Sequence, residues 1–221
     1  MKTFFKVVLF VFVAALYSCG KDEVSSASSS ITSGGVISGT ISNYTTNPVD
    51  SITFDGDFFG KVNNDGKFSF TLLTPKTSYL EELGSVSGLT VSDPKALFNG
   101  GYILAVPYSK GTAIGYIMKL NSNSKDDSSV GVAFSMFIYV DRDVTVKGAE
   151  SNIRNNSYSV WDVKFKKGWN EIVVTITKVS GTVITYSISS NIPSGLKWVA
   201  VTGDTAGTAS KVKALKSLLK K

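Results

Sequence analysis

One side chain that does chemistry occurs once in this 221-residue chain, and another does not occur at all: Cys19 is the only cysteine, and there is no histidine. Without histidine there is no Ser-His-Asp or Cys-His nucleophile and no imidazole-bound metal. A single thiol makes no intrachain disulfide and no cysteine cluster for zinc or iron–sulfur. Its surroundings are those of an export signal. Residues 7–16 are an unbroken apolar run behind Lys2 and Lys6, and Leu16-Tyr17-Ser18-Cys19 follows. A short basic start, an apolar stretch too short to stay in a bilayer as a helix, and a small residue before the thiol form a secretory signal over 1–18.

The remaining chemical candidates are carboxylates and aromatic rings. Asp55-Gly56-Asp57 and Asn63-Asn64-Asp65-Gly66 gather oxygen ligands of the kind calcium takes. They lack EF-hand spacing and a downstream glutamate, and Asp and Asn are ordinary turn formers, so no metal is expected. Asp126-Asp127 lie in a polar loop, and Asp141 and Asp143 share a strand face if the strand continues past Val140. A glycosidase needs two carboxyl groups about 5–9.5 Å apart, one with a raised pKa, and the sequence selects no such pair. The chain is therefore expected not to be an enzyme and to need no cofactor. Among the rings, Trp169 is the candidate for a ligand face because it follows Gly168 at a turn. Trp161 and Trp198 fall within strands and are expected in the core, the commoner place for aromatics.

The elements that position these residues are strands. Residues 24–35 are a Ser/Gly-rich tether, part of a 19–35 segment that links Cys19 to the body. From 36 onward, short β-branched and aromatic runs alternate with turn residues, with strands expected over 36–41, 52–54, 58–62, 67–72, 101–108, 112–120, 130–140, 144–147, 160–165, 171–178, 183–189 and 197–202. In 67–72, Phe68 and Phe70 occupy one face and Ser69 and Thr71 the other. Asp65-Gly66 and Ser180-Gly181 mark turns, while 78–94 reads equally as a helical turn or a distorted strand. There is no strand–helix alternation and no fixed repeat, so the expected fold is all-β: an antiparallel β-sandwich over 36–205, as one body or two small sub-sandwiches. Residues 206–221 place Val212, Leu215 and Leu219 on one helical stripe among five lysines, a short basic amphipathic helix.

Four stretches resemble those of known families. Leu16, Ser18 and Cys19 fit the lipobox of a Bacteroidetes-type surface lipoprotein. That resemblance implies diacylglyceryl attachment to the Cys19 thiol, cleavage before it and acylation of the new amino terminus. Several acyl chains anchor stably where one does not. Lys21, Asp22 and Glu23, just after the thiol, resemble the signal that exports such lipoproteins to the cell surface. Residues 36–75, with Gly39, Gly66, Phe68 and Phe70, resemble the prealbumin-like and carboxypeptidase-regulatory-like modules, which implies a small non-catalytic β-sandwich. The segment VWDVKFKKGWNEIVVTI resembles a Lys-Gly-Trp-Asn hairpin of secreted β proteins and implies a hairpin there.

Charge narrows the partners. Of 23 basic residues, Lys2 and Lys6 lie in the signal and five lysines at the C-terminal end; the rest of the chain has 16 basic and 17 acidic residues and is net −1. The overall +6 is thus a property of the two ends, and nucleic acid is not an expected partner. The expected protein is held in the outer membrane by lipid, faces the cell exterior and has a non-catalytic binding or adhesion role toward a glycan or protein. The alternative is an accessory or structural subunit of an envelope assembly or nutrient-uptake system.

Overall fold

The computed structural model describes residues 35–54, 58–99, 105–109, 112–113, 115–122, 129–152 and 156–202. Cys19, Lys21, Asp22, Glu23, the acidic pairs 55/57 and 126/127 and the expected helix over 206–221 lie outside them. The described chain is all-β: nearly every element is a strand, and its one helical turn is of the 3-10 type, at Thr77–Tyr79.

Four strands open the body: β1 (Val36–Thr40), β2 (Ser51–Phe54), β3 (Phe58–Lys61) and β4 (Lys67–Thr71). Short pieces follow: β5 (Glu81–Glu82), β6 (Leu89–Val91), β7 (Leu97–Asn99), β8 (Ala105–Ser109) and β9 (Thr112–Ala113). The longer strands are β10 (Gly115–Leu120), β11 (Ala133–Val140), β12 (Val144–Asn152), β13 (Ser157–Phe165), β14 (Gly168–Ser180), β15 (Val183–Ser189) and β16 (Lys197–Thr202). The ambiguous 78–94 stretch resolves into the end of the 3-10 turn and two very short strands, which is why neither a helical nor a strand period dominates it.

Strand patterns follow their neighbours. β4 alternates, with Phe68 and Phe70 buried and Lys67, Ser69 and Thr71 exposed. β13 also alternates strictly, burying Ser157, Ser159, Trp161, Val163 and Phe165. β11, AFSMFIYV, is buried at every position, because it is covered on both faces. One face of β11 and β14 looks into a core shared with β15, β13 and β12, where Phe134, Ile138, Ile172, Ile188, Trp161 and Val146 all belong to one apolar cluster. The other face lies under β1 and β4. There Trp198 stacks on Phe137 (centroids 6.0 Å apart, planes 9° apart) and receives Phe68 edge-on at 5.2 Å. Both Trp161 and Trp198 are buried, as expected.

β1 and β4 pair antiparallel as a separate two-stranded sheet, and the other fourteen strands form one large curled sheet. Its main path is β3-β2-β8-β10-β11-β14-β15-β13-β12-β6, with β16 beside β10. The expectation of a wholly antiparallel sheet needs correction. β13 and β15 run parallel, Ser157 opposite Ile184 through Asp162 opposite Ser189. β15 hairpins back from β14 and inserts between β14 and β13, so it cannot be antiparallel to both. The Lys-Gly-Trp-Asn segment is accordingly a corner and not a paired hairpin, since β13 and β14 are separated by β15 in the sheet. Asn170 holds this corner. Its Nδ2 donates to the carbonyls of Lys166 at 2.6 Å and Gly168 at 2.8 Å, and its Oδ1 accepts from the Lys166 N–H at 2.8 Å.

Candidate functional site

Two turns meet at the end of the body where β1 and β4 dock on β16. After β1 the chain turns through residues 42–47, with Asn47 N–H donating to the Asn43 carbonyl at 3.0 Å. Asn43 acts like an extra strand residue: its Nδ2 donates to Ala200 O and its Oδ1 accepts from Ala200 N, both at 2.8 Å. Ser42 N–H and Oγ both donate to Trp198 O, each at 2.8 Å. The second turn, Asn63 to Gly66, precedes β4. Gly66 N–H donates to Asn63 O at 2.8 Å, and Ile41 N–H donates to Gly66 O at 3.0 Å, which ties the turns together. Gly66 has φ +78°, and a Cβ there would stand 2.8 Å from Tyr44 Cβ. Only glycine fits both the backbone and the seat it makes for Tyr44.

Between these turns lies an open cleft of about 200 Å³ lined by Thr40, Ile41, Ser42, Tyr44, Thr45, Asn64 and Asp65. Ile41 is buried beneath it. Asp65 accepts from Lys67 N–H at 3.1 Å and pairs with Lys67 Nζ at 2.5 Å. The Lys67 side-chain bond holds its carboxyl below the usual carboxylate range, so it is ionised and charge-matched at neutral pH. Within the described residues, the side chains of Thr40, Tyr44, Thr45 and Asn64 make no hydrogen bond, which leaves them open to a ligand.

The other candidates have structural partners. Trp169 is half-buried; its Nε1–H donates to Leu73 O at 3.0 Å and its ring meets Tyr139 edge-on at 5.7 Å. It joins the start of β14 to the segment after β4. Asp141 accepts from Leu97 N–H at 2.7 Å and is bonded by the Arg142 guanidinium, which lowers its pKa. Asp143 instead accepts from Lys166 Nζ at 2.6 Å and Lys167 N–H at 2.9 Å, the lysine bond lowering its pKa too. The two carboxylates thus serve different cations, Arg142 and Lys166. Among the described residues, no group of three or more His, Cys, Asp or Glu side chains is placed to hold a metal ion.

Two buried polar clusters were missed by the sequence reading. Lys119 Nζ pairs with Glu171 Oε1 at 2.6 Å, and Ser135 Oγ donates to the same oxygen at 2.5 Å, across β10, β11 and β14. Glu150 on β12 stands in one row with Ser159 on β13 and Tyr186 on β15. Burial pushes its carboxyl up to about 7 despite a 3.1 Å bond from Trp161 Nε1–H. Ser157 Oγ, one row further along, is buried with no partner among the described residues. Strand period could have found both: Lys119 is in phase with buried Ile117, and Glu150 with Val144 and Val146.

The turn cleft is therefore the place where several unengaged polar side chains and an aromatic ring converge on space open to solvent. Comparison of the chain with protein-family models, with curated proteins and with solved structures gives no match.

Proposed function

We propose that the protein is a lipid-anchored, surface-exposed protein of the outer membrane with a non-catalytic binding role. Cys19 carries the lipid, Lys21, Asp22 and Glu23 direct export, and residues 24–35 lift the body off the membrane. The body is read as a β-sandwich in which the β1–β4 sheet lies on one face of the curled sheet, and 206–221 as its basic amphipathic helix. The observation that carries the binding role is the cleft between residues 42–47 and 63–66, with its open side chains of Thr40, Tyr44, Thr45 and Asn64. The test is labelling of cells with radioactive palmitate, followed by protease shaving of intact cells. Wild type is expected to take up label and lose its body to protease, and Cys19→Ala to take up none. Equal labelling of the two overturns the anchor, and a protected body overturns surface exposure.

One observation favours the accessory-subunit alternative. Tyr158 and Val160 on β13 and Val183 on β15 lie on the outer face of the sheet by strand alternation, each more than 40 % exposed. Exposed apolar side chains on neighbouring strands suit a protein contact. Loss of a co-purifying envelope partner on Tyr158→Lys, with ligand binding at the cleft intact, would favour assembly over adhesion.

A further inference from the structure

We propose that the turn cleft binds one neutral sugar residue, a single pyranose unit of a glycan, with Tyr44 as its aromatic wall and Thr40, Thr45, Asn64 and Asp65 as partners for its hydroxyls. This rests on the binding role proposed for the same cleft and names the ligand class.

Size is the first constraint. Drug-sized ligands occupy pockets of roughly 300–1,000 Å³. A cleft of about 200 Å³, open on one side, takes one ring and leaves the next unit of a chain in solvent. Charge is the second. The one carboxylate, Asp65, is already paired with Lys67, so the site carries no uncompensated charge to select an anion or a cation. A carboxylate offers about four lone-pair positions, and Lys67 takes two through its backbone and side-chain N–H groups, leaving acceptor capacity for a hydroxyl.

The chemistry of the lining is the third. Threonine hydroxyls both donate and accept, and an asparagine amide offers one acceptor and two donors. These are the groups that satisfy sugar hydroxyls, while an aromatic ring suits the C–H face of a pyranose. A peptide docking through its side chains would ask for more apolar surface than Ile41 and Tyr44 supply. Rigidity is the fourth. The Ile41–Gly66 bond, the paired bonds of Asn43 to Ala200 and the seat of Tyr44 on Gly66 fix both walls before any ligand arrives, which lowers the ordering cost of binding.

The full chain in detergent is titrated with glucose, galactose and mannose, and with glucuronate as the charged comparison, by saturation-transfer NMR. At least one neutral sugar is expected to bind, with glucuronate weaker. Asn64→Ala and Thr45→Val, both outside the core, are each expected to weaken binding by about five-fold, the worth of one hydrogen bond. No signal from any neutral sugar, or an undiminished signal in both variants, overturns the assignment. A calcium titration that replaces the sugar effect overturns the ligand class. Binding of labelled wild-type protein to a glycan array is read in parallel. Array binding that both variants retain leaves the binding role standing and removes the cleft from it, whereas absence of any array binding removes the binding role itself.

Discussion

Trp161 on β13 donates its indole N–H to Glu150 on β12 at 3.1 Å, inside the curl of the sheet. The bond favours the ionised carboxylate, but burial outweighs it and raises the Glu150 pKa to about 7. Among the described residues its row holds Ser159 and Tyr186, whose own hydroxyl is pushed up by burial, and no cation stands in that row. The folded state therefore holds a proton that the unfolded chain gives up near its ordinary value of 4.5. Stability is expected to fall as pH rises from there to about 7 and to level off above, because the native state binds more protons across that window. Glu150 is partly exposed, so solvent screening limits the loss to about 1–2 kcal/mol. Glu150→Gln keeps the acceptor for Trp161 and removes the titration. Urea midpoints should match wild type at pH 4.5 and exceed it at pH 8; parallel curves for the two proteins would rule the linkage out.

Gly39 and Trp198 set a second test. A Cβ on Gly39 would stand 2.3 Å from Trp198 Cδ1 and 2.5 Å from its Nε1. The indole lies directly on the β1 backbone, and its N–H is buried with no partner among the described residues. Gly39→Ala should cost about 2 kcal/mol or more, since both ring and strand are fixed by packing. Trp198→Phe should also destabilise through lost volume, yet it removes the unsatisfied N–H and makes room at Gly39. The double variant is expected to be clearly less destabilised than the sum of the singles. Additive losses would mean the ring does not press on this glycine.

The sequence carries the class of fold because the period of two is local. Phe68 and Phe70 announce their strand, and the apolar run of β11 announces a strand covered on both faces. It does not carry the partner choice of β15. Nothing within Val183–Ser189 says that the strand inserts beside β13 and runs parallel to it. Asn170, which holds the corner that makes this possible, is read locally as an ordinary turn residue. The cleft is half legible for the same reason. Asn64, Asp65 and Gly66 read as a turn, but the opposite wall comes from residues 42–45, and it is the pairing of β1 with β4, closed by the bond between Ile41 and Gly66, that brings the two together.

Lys119 and Glu171 are almost fully buried, with side-chain exposures of 4 % and 9 %. A buried pair adds little net stability, but breaking it leaves one charge stranded. Lys119→Met alone should cost about 3–5 kcal/mol. Combining it with Glu171→Leu should recover most of that, with Ser135 turning its hydroxyl elsewhere. Equilibrium urea unfolding of both singles and the double measures the coupling, and a double variant as unstable as Lys119→Met would show that the loss comes from packing and not from stranded charge.

Trp169 gives the last test, because it separates a structural ring from a ligand-binding one. Its N–H bonds Leu73 O, its ring lies against Tyr139, and the neighbouring Leu72 N–H donates to Gly35 O at 2.7 Å, so the ring fastens the chain just after β4 to the start of β14. Trp169→Phe keeps the contact with Tyr139 and loses the hydrogen bond, which should cost about 1 kcal/mol. Trp169→Ala should cost about 3 kcal/mol and expose the segment from Leu73 to Tyr79, two residues that are already well exposed, to protease. Limited proteolysis with mass spectrometry locates the cut. Sugar binding at the turn cleft should be unchanged in Trp169→Phe, because this ring is not among the residues that line the cleft. A Phe variant with wild-type proteolysis but no sugar binding would reverse the assignment and make Trp169 the ligand face.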